Sequence, residues 1–229
     1  MLPIQAAEAW HTGFPGAHIG LLLVGPVDNT PRPSPLDEAK ISLAAQLRTR
    51  FGGYSRAELN ELPVLAAYKN YYRQFNKTYH VLLQLESVVH KHKSLPAINP
   101  MVDAGFAAEL ETLILTAAHD ADTLVPPITI SASTGEEQMR SLTGSLKQLK
   151  AGDMIMLDAQ GVVCSILYGQ DQRTPLTPHS RQVLYVAYAP AGITAAQVNT
   201  HLETILHYVR LCAPGIPLIL QDVLAADQA

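Results

Sequence analysis

The sequence predicts an α+β fold, a layered β-sheet module flanked by helices, and three observations carry that prediction. Helical periodicity dominates residues 34–93. Short β-type runs, separated by Gly and Pro turns, dominate from Ile128 to Ala189. The two kinds of segment do not alternate regularly, so nothing implies a doubly wound parallel sheet.

Each element has its own signal. Ala17 to Val24 is an apolar, β-rich run that stops at Gly25-Pro26, which predicts a buried strand. Pro31, Pro33 and Pro35 make an extended connector, because each ring fixes φ and removes a donor. Ser34 before Pro35 is a helix start, and the helix runs to Gly52-Gly53 with Leu36, Ile41, Leu43, Ala44 and Leu47 near helical spacing. Ser55 and Glu58 have the form of a capping box for a short helix ending near Pro63. Val64 to Phe75 follows, with Tyr68, Tyr71, Tyr72 and Phe75 on one helical face. That stripe reads as core packing with its hydroxyls at the rim; stacking on bases is the alternative. Thr78 to His92 is the next helix, and Ala107 to Leu115 another, carrying Glu109 and Glu111. Strands are expected at Ile128 to Ser131, Met154 to Asp158, Val162 to Leu167 and Val183 to Ala189, with hairpin chemistry at Asp158-Ala159-Gln160-Gly161. Thr194 to Leu211 is an amphipathic helix closed by Pro214 and Pro217.

Composition narrows the function classes. The 229 residues are 48% hydrophobic and 16% charged, which excludes a largely disordered chain. The net charge of −4 is the wrong sign for a basic nucleic-acid stripe, and no block of five Lys/Arg occurs, so we expect no DNA partner. Arg48, Arg50 and Arg56 form one local cluster, and His90-Lys91-His92-Lys93 another that reads as a solvated helix end. Cys164 and Cys212 read as buried thiols of a reducing compartment. No basic leader precedes an apolar run and no stretch approaches the roughly 20 residues that span a bilayer. The expectation is a cytoplasmic protein without a membrane partner.

Most catalytic signatures are missing. Gly13, Gly16 and Gly20 lack a phosphate-loop context, and no Gly-x-Ser-x-Gly elbow occurs. His90 and His92 do not share a helix face, so no metal site and no cofactor are expected. Two polar clusters remain. His119-Asp120-Ala121-Asp122 follows an apolar helix and can orient a general base or a cation, or can be an Asx-type turn with a satisfied imidazole. Gln170 to Thr177, with Gln172, Arg173 and Thr174, can line a pocket or form a hairpin loop.

The turns between these elements carry a resemblance. Leu95-Pro96-Ala97-Ile98-Asn99-Pro100-Met101-Val102-Asp103 resembles the Leu-Pro-x-Ile-Asn-x-x-Val-Asp stretch of the B3/B4 domain of the phenylalanyl-tRNA synthetase beta chain. Asp120-Ala121-Asp122-Thr123-Leu124 is similar to that family's Asp-x-Asp-x-Leu. Gly135-Glu136, Ala151-Gly152-Asp153 with the strand to Asp158, and Thr177 ahead of Val183-Leu184-Tyr185 fall in the family's order. Tyr71-Tyr72-Arg73 is similar to the lead-in of free-standing versions, and the similarity covers roughly residues 15 to 212.

The resemblance implies one B3/B4-like domain over 1–229. It comprises an N-terminal strand and helical part (15–93), a pocket-bearing β-rich part with the closing helix (94–212) and a tail (213–229). In the parent enzyme the domain holds an editing pocket that hydrolyses tyrosine misattached to phenylalanine tRNA. By analogy the first expectation is trans-editing, with tRNA or aminoacyl-tRNA as partner, in a pocket with a basic rim. His119 and Gln172 would be catalytic, and Asn99, Asp103, Phe106, Asp120, Asp122, Arg173, Thr174 and Thr177 would bind substrate. The family's His falls at Ala117 here, its Glu is replaced by Gln172 or Asp171, and a common Asn becomes Phe106. The alternative is a non-catalytic protein that holds a free amino acid, another small ligand or a protein partner, and a pocket without basic groups would favour the small ligand.

Overall fold

Residues 3–227 are described by a computed structural model. In chain order they form β1 (Ile4–Ala6), α1 (Glu8–Gly13), β2 (His18–Val24), α2 (Pro35–Phe51), α3 (Arg56–Leu59), α4 (Pro63–Arg73), α5 (His80–Val89) and α6 (Pro100–Thr112). After these come β3 (Thr116–Asp120), a 3₁₀ turn (Ala121–Thr123), β4 (Ile128–Ala132), β5 (Gln138–Arg140), β6 (Leu146–Gln148), β7 (Met154–Asp158) and β8 (Gly161–Ser165). The chain ends with β9 (Gly169–Gln170), β10 (Val183–Ala189), α7 (Ala195–Cys212) and β11 (Leu218–Ala225). Among the described residues, no helix is long and apolar enough to cross a membrane.

An antiparallel sheet of four strands, in the order β11-β2-β10-β3, is the centre of the fold. All seven residues of β10 are buried, because strands flank it and both faces are covered. Helices α6 and α7 lie on one face. A Cβ at Gly20 would sit 2.6 Å from Val198 Cγ1, and one at Gly105 would sit 3.0 Å from the Tyr185 ring. Glycine at these two places lets a helix settle directly on a strand or aromatic ring. Ala187 pairs with Gly20 and so shares the helix face with Tyr185. By strand alternation Leu184, Val186 and Tyr188 face the other way.

The second sheet, β1-β4-β7-β8-β9, is antiparallel except for the β1–β4 pair. Its β7–β8 hairpin closes at the Asp158↔Gly161 pair, where Gly161 has φ of 127°, and the Gln160 N–H donates to Asp158 Oδ1. Helix α4 ties the two sheets together with the tyrosine stripe. Tyr68 donates to the Tyr188 carbonyl and accepts from the Leu115 N–H. Tyr71 donates to Asp153 Oδ1 and accepts from the Met154 N–H, and Tyr72 donates to the Ile166 carbonyl. All three rings are buried, so the stripe is core, and its hydroxyls satisfy backbone groups where the ladders end.

Four expectations change. Helix α6 begins at Pro100 and not at Ala107, because Asn99 Oδ1 accepts the Val102 N–H and Pro100 occupies the first turn. His119 and Asp120 end a strand and not a helix: Leu113, at φ 66°, turns the chain out of α6 and into β3. The expected tail contains β11, which pairs with β2 from Leu218↔Val24 to Ala225↔His18 and covers that edge; residues 228–229 lie outside the described part. The N-terminal β1 and α1 carry too few residues to show a period, and β1 exists only by pairing with β4.

Candidate binding cavity

Strand β3 is the free edge of the central sheet, and a cavity of about 310 Å³ runs along it. One wall is α6, which contributes Val102, Gly105, Phe106 and Glu109. These are spaced i, i+3, i+4, i+7, so one stripe of the helix faces the space. The opposite wall comes from Cys164, Ser165, Ile166, Gly169 and Gln170 around β8 and β9, with Tyr188 and His80 also lining the cavity. The side chains of Ala117 and Ala118 on β3 are small, which is why there is room between the walls. At the mouth, Ile98 is 61% and Leu142 56% exposed.

The edge strand brings backbone groups to the cavity. The Thr116 N–H points off the sheet and donates to Glu109 Oε1 at 2.9 Å, and the Asp120 N–H donates to the Thr174 carbonyl at 3.0 Å. Alternation turns the N–H and C=O of Ala118, between them, off the sheet as well. Ala118 therefore offers one donor and one acceptor to whatever occupies the space.

Burial sets the protonation of the titratable groups. Glu109 is 5% exposed, and loss of water raises its carboxyl to about 8, opposed only by the Thr116 hydrogen bond. Burial lowers the His80 imidazole to about 4, so it is neutral. It also raises the Cys164 thiol to about 12, which makes that sulfur a poor nucleophile. The Ser165 hydroxyl is committed to Asp153, whose own carboxyl burial raises to about 6. The Tyr188 hydroxyl is buried beside the Cys164 thiol, with no oxygen or nitrogen partner among the described residues. No Lys or Arg lines the cavity, so the expected basic rim is absent from it.

Of the ten residues singled out from the sequence, Phe106 alone is on the cavity wall. His119 lies on the same face of β3 as Ala117, two residues and about 7 Å farther along, and is fully buried. Its Nδ1 is 2.8 Å from Thr174 Oγ1 and 3.3 Å from Gln170 Nε2, and burial lowers the ring to about 3. It reaches the cavity only through Gln170. Gln172 is exposed, with its N–H on the Arg140 carbonyl. Arg173 pairs with Asp158 and Asp171, both at 3.1 Å, and braces the hairpin. Asn99 caps α6, and Asp103 holds Lys40 at 2.5 Å and accepts the Ile98 N–H. Asp120 forms the Asx-type turn, accepting from the Asp122 N–H and from Ser180, while Asp122 is exposed. Thr177 bonds the Ser180 and His179 loop. The expected pocket lining of His119, Gln172, Arg173 and Thr174 is therefore not what faces this cavity: hydrogen bonds and ion pairs hold the side chains of His119, Arg173 and Thr174 in the surrounding frame, and Gln172 is exposed.

Glu109, His80, Gln170 and Tyr188 supply the cavity's polar groups instead. Sequence reasoning passed over Glu109, although a carboxylate at the last position of the 102/105/106/109 stripe was the available signal. Among the described residues, no group of three or more His, Cys, Asp and Glu is placed to hold a metal ion.

The sequence pattern of the B3/4 domain matches residues 65–210. No curated protein matches the chain. Among solved structures it is similar to an N-terminal fragment of the phenylalanyl-tRNA synthetase beta-subunit from Pyrococcus horikoshii, at 11% identity and a TM-score of 0.48. That match covers 96% of this chain and 53% of the fragment, so the chain spans about half of its length.

Proposed function

The chain belongs to the B3/4 domain family, and from that premise we propose that its cavity binds a small, largely apolar amino-acid-like ligand without hydrolysing it. The observation that carries this reading is the free edge of β3. Ala118 presents a backbone donor and acceptor there, as a neighbouring strand would require, beside the buried carboxyl of Glu109. Val102, Phe106, Ile166 and Leu176 offer an apolar wall for a side chain. Burying a ligand's apolar surface against them contributes roughly 25 cal/mol per Å² before the costs of association. The absence of Lys and Arg from the wall, together with the net charge of −4, supports a small ligand over RNA. Neither Ser165 nor Cys164 is set up as a nucleophile, and His119 and Gln172 lie off the wall.

Thermal stabilisation tests this. Each of the twenty amino acids and its amide is added to the full chain. A true ligand at about ten times its Kd contributes about 1.4 kcal/mol and raises Tm by about 3–6 °C. Ala117→Leu, which fills the space, should remove the shift. No shift from any compound would refute the reading.

A second reading, deacylation of a mischarged tRNA, draws on the exposed mouth at Ile98 and Leu142, through which an ester on a larger molecule can enter. Hydrolysis needs only a positioned water and donors for the oxyanion, and the Ala118 N–H is one such donor. Release of amino acid from any mischarged tRNA above the buffer rate would establish this reading in place of the first.

A further inference from the structure

We infer that the cavity's ligand carries a protonated amine, held by the Glu109 carboxylate and the Ala118 carbonyl. This rests on the binding reading above and adds the charge of the ligand to it.

Glu109 is a buried acid whose surroundings contain no cation. Tyr68 and Tyr72 approach it from α4, Tyr79 and His80 from the start of α5, and Tyr188 lines the same cavity from β10. All are neutral near pH 7, His80 because burial lowers it to about 4. The carboxyl's one bond to the protein is the Thr116 N–H, which a glutamine carbonyl would accept equally well and without the cost of a buried ionisable group. The acid is therefore in excess of what the fold requires.

An ammonium supplied by a ligand would change that balance. The pair forms in a space of low dielectric, where charge-assisted hydrogen bonds are about twice as strong as neutral ones. The Ala118 C=O accepts a second ammonium proton, and the Tyr188 hydroxyl, beside the Cys164 thiol, lines the same cavity. An anionic ligand meets no charged donor there. The balance on binding is simple: protonated Glu109 and R–NH₃⁺ give the carboxylate–ammonium pair, and one proton leaves to the buffer.

Calorimetry on the full chain at pH 7 reads both affinity and proton release when run in phosphate and in Tris. The probes are benzylamine, benzyl alcohol and benzoate, alike in shape and different in charge. We expect benzylamine to bind at least about tenfold more tightly than benzyl alcohol, and benzoate not to bind. With the carboxyl raised to about 8, benzylamine should release most of a proton at pH 7, and benzyl alcohol none. Glu109→Gln, which keeps an acceptor for Thr116, should level the two affinities and abolish the release. If benzyl alcohol binds as tightly as benzylamine and Ala117→Leu weakens both, the amine is refuted while the cavity stands. Benzylamine binding that Glu109→Gln leaves as tight as before also refutes it. Binding of none of the three would overturn the amine and the cavity reading together.

Discussion

Single residues show how burial, more than residue type, decides a role. Asp103 and Lys40 are 6% and 7% exposed and form one ion pair at 2.5 Å between α6 and α2. Removing one partner strands the other charge, so Asp103→Ala should cost about 3–5 kcal/mol in urea denaturation. At Glu109, burial makes stability depend on pH. Its carboxyl lies near 8 in the fold against 4.5 outside it, so the native state holds that proton more tightly. Its contribution to stability is whole below about pH 4.5 and is lost as pH rises through 8. Denaturation midpoints at pH 5, 6, 7 and 8 should therefore fall less steeply for Glu109→Gln than for the parent chain. His119 was the sequence's most conspicuous titratable group, yet its bond to Thr174 and full burial make it part of the frame.

Elements formed where local chemistry was strong. The Ser34, Ser55 and Thr194 capping boxes start α2, α3 and α7 within a residue or two of where the sequence puts them, although α3 ends at Leu59 and not near Pro63. Asn99-Pro100 carried an equally good start for α6, hidden because Gly105 breaks the helical propensity of the stretch. Asn99 also donates to the Leu176 carbonyl, so Asn99→Ala should lose about 1 kcal/mol for the cap and more for that bond. Loosening α6 also moves the stripe that lines the cavity, so the same variant should weaken ligand binding. At the other helix–sheet contact, Gly20→Ala puts a methyl group 2.6 Å from Val198 Cγ1. The fitted contact of α7 on β2 should lose about 1–3 kcal/mol, read as a lower midpoint at unchanged denaturant slope.

At the scale of the molecule, α4 joins two sheets by three hydroxyls. Tyr68→Phe leaves the Leu115 N–H and the Tyr188 carbonyl without their partner, a loss of about 1–3 kcal/mol. Hydrogen exchange at the Leu115 amide should accelerate in that variant, while strand β10, buried along its length, stays protected.

The sequence by itself determined the α+β class, nearly every long helix, and the strands β4, β7, β8 and β10, because these depend on caps, turns and apolar spacing within a few residues. It also put the tyrosine stripe in the core and named the family. Tertiary structure alone decided that β3 is an edge, that β11 covers the opposite one, and that Glu109 faces a space rather than water. Strand order and the meeting of α6 with β8 and β9 are contacts between residues far apart in the chain, as in the pairing of Ala225 with His18. No local pattern encodes which edge remains open, and a carboxylate's charge is set by the water around it.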